Sequence, residues 1–159
     1  MFEKFRLDSI DIPYGLLHDQ RLMSASLNGN QLTFSFDTNF NENDYTDGEF
    51  YERYKGFNRC DMIVQLKKDG DHECNLTSSV DKHRKFNGLT MDIDEFTNLI
   101  NKSEATFLSC YTNGYILKIE FGVNFYNSKD MSKYRKYTMF SVDLEAESVS
   151  WNWYKKQTA

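Results

Sequence analysis

Apolar and polar residues alternate on both sides of a short turn near the start of the chain. The turn is Asn28-Gly29-Asn30, and the apolar positions are Met23, Ala25 and Leu27 before it and Leu32, Phe34 and Phe36 after it. Alternation with a period of two residues, around a turn whose Asn and Gly tolerate positive φ, predicts a β-hairpin. A loop of Asn28-Gly29 pairs Ala25 with Leu32, whereas a loop of Gly29-Asn30 pairs Ala25 with Phe34. Both registers stay open, because each keeps the apolar residues on one face.

One segment, from Asp92 to Ile100, has apolar residues at helical spacing instead of this alternation. Asp92, with Glu95 three residues later, has the pattern of a capping box, and Met91 and Phe96 have the spacing of a hydrophobic staple. Apolar residues then recur at helical spacing, at Ile93, Phe96, Leu99 and Ile100. We therefore expect one helix, beginning at Asp92, that lies across a sheet.

The other regular patterns along the chain predict strands. Residues 60–67 alternate, turn at 68–71 and return through 72–80, which predicts a second hairpin with Lys67 opposite His72. Residues 105–112 and 115–125 form a third around Asn113-Gly114, with Cys110 opposite Leu117. Every second residue from Tyr115 to Phe125 is apolar, which predicts that these residues share one buried face. Residues 135–144 and 149–153 predict two closing strands. Residues 38–48 are rich in Asn and Asp and predict a loop, and residues 50–57 follow neither period.

About eight strands and one helix predict an α+β protein. We expect a mainly antiparallel, strongly curved sheet or partial barrel with the helix packed against it, and a flat sandwich is the alternative. The chain has 159 residues without a linker-like stretch, which fits a single domain over residues 1–159.

Composition narrows the class of protein. Hydrophobic residues make up 40% of the chain, which is too many for general disorder. The N-terminus lacks the apolar core of a signal peptide, and no segment resembles a membrane span. The chain has three cysteines, Cys60, Cys74 and Cys110, and this odd number indicates free thiols. We expect a cytoplasmic protein. The net charge of −5 argues against nucleic acid or an anionic membrane as the main partner and permits a basic protein partner.

One short motif resembles a known class of domains. Leu16-Leu17-His18-Asp19 followed by the first hairpin is similar to the opening of small bacterial domain families, many uncharacterised and some assigned as immunity proteins of toxin systems. The resemblance covers residues 16–37. It implies a class of protein and transfers no catalytic residue.

Candidate chemistry is sparse, and we predict that the protein is not an enzyme. His18 and Asp19 are a conceivable base and its orienting carboxylate, but neighbours on an extended strand point to opposite sides, so the pair needs a turn. We expect both residues to satisfy backbone groups at the entry to the hairpin. No phosphate-binding glycine loop, nucleophile elbow or zinc-protease helix occurs in the sequence.

We expect no metal or other cofactor. His72 and Cys74 face the same way on a strand, but the predicted hairpin places Cys60 roughly 16 Å further along, at about 3.3 Å per residue. Two basic clusters, 82–85 and the cations of 129–136 with their interleaved tyrosines, are the residue types that single-stranded nucleic acid needs. Because the clusters lie between predicted elements of an acidic protein, we expect solvated loops instead.

An acidic stretch is the strongest indication of a partner. Its residues are Glu42, Asp44, Asp47, Glu49 and Glu52, opposed locally only by Arg53. An irregular loop of this kind fits the cationic active site of a toxin such as a nuclease. The leading hypothesis is therefore a protein-binding domain of the immunity-protein class. The alternative is a barrel that binds a small molecule in an aromatic-lined cavity. We nevertheless expect Trp151 and Trp153 to pack in the core.

Overall fold

The computed structural model describes residues 1–6, 17–40, 48–78, 88–127 and 129–155. In these residues a single antiparallel sheet of nine strands dominates, accompanied by two short α-helices and a 3-10 helix at Lys129–Tyr134. The strands are β1 (Phe2–Arg6), β2 (Arg21–Asn28), β3 (Gln31–Asp37), β4 (Phe57–Leu66), β5 (His72–Thr77), β6 (Gly88–Met91), β7 (Glu104–Asn113), β8 (Ile116–Asn124) and β9 (Met139–Lys155). The helices are α1 (Gly48–Tyr54) and α2 (Ile93–Ile100).

The sheet closes on itself. Six strands form a ring in the order β4-β3-β2-β7-β8-β9, and β9 pairs again with β4. The first half of β9 lies between β8 and β5, and its second half pairs with β1 and β4. A 17-residue strand that changes partners midway bends the sheet strongly. The predicted α+β class and curved sheet are confirmed, and the flat sandwich is wrong.

The predicted hairpin between residues 60–67 and 72–80 is wrong. β4 and β5 do not pair with each other; both pair antiparallel to β9, with Leu66 opposite Ala146 and His72 opposite Leu144. The connection passes Glu145, whose carbonyl accepts from Lys67 N at 3.0 Å and whose N–H donates to Asp71 O at 3.4 Å. The chain therefore continues in the same direction instead of reversing. The turn-like composition of 68–71 could not reveal this, because β9 supplies the partner from far along the chain.

Gly70 makes this passage possible. A Cβ at this position would lie 2.9 Å from the Cβ of Glu145, a distance that real Cβ atoms do not occupy. The connection can therefore approach β9 closely only where a residue lacks a side chain.

The first hairpin has the register of the Gly29-Asn30 loop, with Ala25 opposite Phe34 and Gly29 at a φ of +58°. A β-bulge at Met23 then shifts the pairing, so that Leu22 lies opposite Phe36. A bulge reverses the faces of the residues beyond it, here those further from the turn, so Leu22 is buried and Met23 is 57% exposed. The inward position predicted for Met23 is therefore wrong.

The hairpin of β7 and β8 is confirmed with a shifted register. Asn113 pairs with Ile116, so the loop is Gly114-Tyr115 and Tyr115 is exposed instead of facing the core. Cys110 lies opposite Ile119, not Leu117. The two predicted closing strands are one continuous strand, β9, because a bulge at Glu147 keeps the apolar residues of both halves inside the ring.

Helix α2 begins as predicted. Asp92 caps it, and its Oδ1 accepts from the backbone N–H of Glu95 at 2.8 Å. β2 and β7 pair through only two residues each, so the ring is splayed where α2 lies. The side chain of Asn101 follows the helix and bonds to both backbone polar groups of Ala25, each at 2.7 Å. Asn101 thus replaces the missing strand partner of β2.

Aromatic rings fill the interior of the ring. Phe96 of α2 contacts Phe34, Phe121 and Phe140 at centroid separations of 5.1–6.5 Å, and Phe107 contacts Phe36 and Phe121. Eight strands give an interior that side chains just fill, so a six-stranded ring is narrower still. No helix in the described part of the chain is long and apolar enough to cross a membrane.

Candidate functional site

The structure places two of the five predicted acidic residues on a helix. Glu49 and Glu52 are exposed on α1, whose sequence follows no clear helical period, so the loop expected at these two positions is wrong. Glu42, Asp44 and Asp47 lie outside the described residues. Glu52 forms an ion pair with Lys55, three residues later, at 2.6 Å. As an exposed pair, it contributes little to stability.

A buried carboxylate beneath α1 joins this helix to the sheet. Glu3 pairs with Trp151 across β1 and β9, which turns its side chain towards the inside of the ring and leaves it 10% exposed. Its carboxylate accepts hydrogen bonds from Arg53, from the Tyr54 hydroxyl at 3.2–3.3 Å and from Trp153 Nε1 at 2.9 Å. We call this group, formed by Glu3, Arg53, Tyr54 and Trp153, the carboxylate latch.

The latch has the electrostatics of a buried, satisfied network. Burial raises the pKa of Tyr54 to about 12, the negative charge of Glu3 adds to the rise, and the guanidinium of Arg53 opposes it. Tyr54 also packs on Trp153 at a centroid distance of 4.7 Å. At pH 7 the tyrosine is therefore neutral, and its hydroxyl donates a hydrogen bond to the carboxylate of Glu3. The arrangement fixes α1 and does not provide a general base.

Arg53 is the only cation that the sequence sets among the five acidic residues. In the structure its guanidinium binds Glu3 instead of the acidic residues of its own helix. The latch therefore directs the charge of Arg53 towards Glu3, while Lys55 pairs with Glu52 on the exposed side of α1.

Trp151 and Trp153 lie on the inner face, as predicted, and their rings stack 6.2 Å apart. Trp153 donates to Glu3, but the indole N–H of Trp151, which is fully buried, has no acceptor among the described residues. A buried donor without an acceptor is costly and uncommon.

His18 and Asp19 lie in a turn outside this site. Asp19 has a φ of +63°, and this turn brings its Oδ2 to 3.0 Å from His18 Nδ1. The backbone around the pair bonds to β7, with Asp19 N donating to Phe107 O at 2.9 Å and Phe107 N donating to Gln20 O at 3.0 Å. The backbone thus ties the hairpin entry to β7. Both side chains are more than half exposed, so the described residues do not enclose a substrate site around them.

The three cysteines are free and buried. Burial raises the pKa of Cys74 to about 12 and also raises the pKa values of Cys60 and Cys110, so the thiols are poor nucleophiles and poor ligands at neutral pH. Cys60 faces Trp153 and Cys74 faces Val142, eleven positions apart along β9 (153 minus 142). The described residues contain no group of three His, Cys, Asp or Glu side chains able to hold a metal ion.

The cations of 129–136 lie at the other end of β9, in and after the 3-10 helix, whereas the cluster 82–85 lies outside the described residues. On the outer face near α1, Asp61 accepts from Arg59 at 3.2–3.3 Å and from the Tyr154 hydroxyl at 2.9 Å. Burial, then the hydrogen bond to Asp61, raises the pKa of Tyr154. This network braces β4 against β9.

Sequence reasoning missed Glu3, Tyr54 and Asp61. No local pattern marks these residues, because Tyr54 bonds to Glu3, 51 positions away, and Asp61 bonds to Tyr154, 93 positions away.

Comparison with protein-family models, curated proteins and solved structures finds no significant match to this chain. The similarity of residues 16–37 to immunity-protein domains therefore stays a prediction.

Proposed function

We propose that this chain is a cytoplasmic partner-binding protein of the toxin-neutralising class. Its partner surface is the acidic face, defined as Glu49 and Glu52 on α1 together with Glu42, Asp44 and Asp47 before it. The observation that supports the proposal is the direction of Arg53, which binds Glu3 and so fixes α1, the helix on which Glu49 and Glu52 are exposed.

Fixing α1 lowers the cost of binding. A surface that is ordered before it meets its partner loses less conformational freedom on association. The latch holds α1 through hydrogen bonds from Arg53 and Tyr54 and through the packing of Tyr54 on Trp153. A mutation in the latch should therefore weaken binding through α1 while every residue of the acidic face stays in place.

A basic partner fits the chemistry of this face. Nucleases and other enzymes that act on phosphate esters carry cationic sites, and a carboxylate surface covers such a site while its field speeds the encounter. The resemblance of residues 16–37 supports the same class. We propose, as part of the same hypothesis, that the protein is bacterial and acts in the cytoplasm.

The test is to measure association with the toxin encoded beside the gene, at low and high salt. Replacing the five acidic residues with Gln or Asn should slow association at low salt by at least tenfold and weaken its salt dependence, because exposed charges act mainly on the association rate. A matched control neutralises five exposed carboxylates elsewhere: Asp37, Asp69, Asp94, Glu95 and Glu147. Equal rates for the two variants would contradict the proposal.

A second candidate, a small-molecule-binding barrel, has one observation in its favour. The indole N–H of buried Trp151 has no acceptor among the described residues, and a small bound molecule could supply one. The interior around it is already occupied by aromatic rings in contact. Native mass spectrometry of protein purified from its host tests this candidate, because a retained molecule should be lost in Trp151→Phe.

A further inference from the structure

A cationic segment joins β8 to β9. Between Tyr126 and Thr138 the sequence carries four cations, Lys129, Lys133, Arg135 and Lys136, and one acid, Asp130. This local charge of +3 (four minus one) contrasts with −5 for the whole protein. We call Tyr126, Tyr134 and these four cations the cation–tyrosine surface.

Cations and rings alternate closely on this surface. Lys133 Nζ lies 4.8 Å from the ring centre of Tyr134, and Lys136 Nζ lies 5.1 Å from that of Tyr137. The guanidinium carbon of Arg135 lies 5.5 Å from the ring centre of Tyr126. Three of the four positive charges, those of Lys133, Arg135 and Lys136, therefore lie beside a ring.

The surface is anchored from below. Met131 and Tyr137 are buried, and Tyr134 packs on Phe125 at a centroid distance of 5.6 Å. Thr138 extends the sheet on both sides, since its carbonyl accepts from Val123 N at 2.8 Å and its N–H donates to Thr77 O at 2.9 Å. The groups are thus positioned before any ligand arrives.

These cations have no carboxylate partner among the described residues. Arg53, Arg59 and Lys118 each form an ion pair with an acid, whereas none of the four cations does. The Nε of Arg135 is shielded from solvent and has no hydrogen-bond acceptor in the described part of the chain. Nearby, Glu104 is already bonded to Asn127. The acidic residues in the described part of the chain therefore do not neutralise this positive charge.

We propose that the cation–tyrosine surface binds single-stranded nucleic acid. Ammonium and guanidinium groups bind phosphates, and aromatic rings stack on bases without regard to sequence. Tyr126 is 63% exposed although Arg135 lies beside its ring, so ring area remains for a base. The net charge of the chain does not oppose this binding, because screening confines the acidic groups to their own neighbourhood, within about 8–10 Å.

Fluorescence anisotropy with labelled oligothymidine and oligouridine of 15 nucleotides tests the proposal in 50 mM and 200 mM salt. Lys133→Gln, Arg135→Gln and Lys136→Gln combined should weaken binding at least tenfold and reduce its salt dependence. The control combines Lys4→Gln, Lys68→Gln and Lys102→Gln, which removes the same charge from exposed sites elsewhere and should change affinity by less than about threefold. Unchanged thermal unfolding verifies that both variants fold.

Tyr126→Ala separates nucleic acid from any other polyanion. Loss of a stacked base should weaken oligonucleotide binding at least fivefold, whereas heparin binding should not change. The proposal is overturned by absence of binding in 50 mM salt, by equal effects of the two triple variants, or by a Tyr126→Ala variant that binds oligonucleotides normally. Tighter binding of oligouridine than of oligothymidine would assign the ligand as RNA, and the reverse as DNA.

Discussion

The cations at the two ends of β9 differ in whether a carboxylate pairs with them. At the Trp153 end, Arg53 is bound by a buried carboxylate and the helix above it displays acidic residues. At the Met139 end, four cations have no carboxylate partner among the described residues, and three of them lie beside tyrosines. The difference teaches that net charge describes neither end, because the same cation type is neutralised at one end and displayed at the other.

The ends also differ in burial. Trp151 and Trp153 face the inside of the ring, whereas Tyr126 lies largely in solvent. The aromatic residues at the first end therefore stabilise the fold, whereas Tyr126 at the second end has ring area available to a ligand. Substitutions at the two ends should separate stability from binding.

The largest contrast should come from the aromatic residues. Trp151→Ala should lower the free energy of unfolding by about 3–5 kcal/mol, because it leaves a cavity in a packed interior. Tyr126→Ala should change it by less than about 0.5 kcal/mol. Urea denaturation followed by circular dichroism measures both, and similar losses at the two sites would contradict the comparison.

The latch should give the next largest effect. Glu3→Gln should cost about 1–3 kcal/mol, because the hydrogen bonds to Arg53, Tyr54 and Trp153 lose their charged acceptor. The control is Glu52→Gln, which breaks only the exposed pair with Lys55 and should cost less than about 0.5 kcal/mol. A Glu3→Gln variant as stable as the control would show that the latch does not hold α1.

The latch should also make the protein sensitive to alkaline pH. Folding raises the pKa of Tyr54 from its ordinary value of 10.0 to about 12 and raises that of Cys60 above 9.0. Groups with a raised pKa stabilise the folded state fully below their unfolded pKa, and this contribution is lost as pH rises towards the folded pKa. Stability should therefore fall from about pH 9 upwards, by about 1.4 kcal/mol per pH unit for each fully titrating group.

Unfolding at pH 8 and pH 10.5 measures this loss. Tyr54→Phe combined with Cys60→Ser should reduce the difference between the two pH values, even if the variant is less stable overall. An unchanged pH difference would mean that the alkaline loss arises elsewhere in the chain.

The smallest effect on stability should come from the cationic end. Neutralising Lys133 and Lys136 to Gln should change the free energy of unfolding by less than about 1 kcal/mol, since both ammonium groups are exposed and each loses one ring contact. Thermal unfolding measured at matched salt checks the value. A loss comparable to that of Glu3→Gln would indicate that these lysines are structural.

The core face was predictable where alternation or capping is local. Leu117, Ile119, Phe121 and Val123 are all inside the ring as their period requires, and Asp92 caps α2. Met23 and Tyr115 were misplaced, because a bulge and a one-residue shift of the loop depend on the partner strand. The hydrogen bonds of the latch could not be predicted, since they join residues that are 50 and 150 positions apart. The role of Glu49 and Glu52 in binding a partner stays a prediction.

The sequence by itself determined the class of fold, because periods of two and 3.6 residues are local consequences of burying one face. It also determined the position of α2, because a cap acts within one turn of helix. Only the tertiary structure decided that β4 and β5 both lie along β9 and that Arg53 binds Glu3. Strand partners and buried ion pairs are chosen by what the whole chain brings together, and no local pattern contains that information.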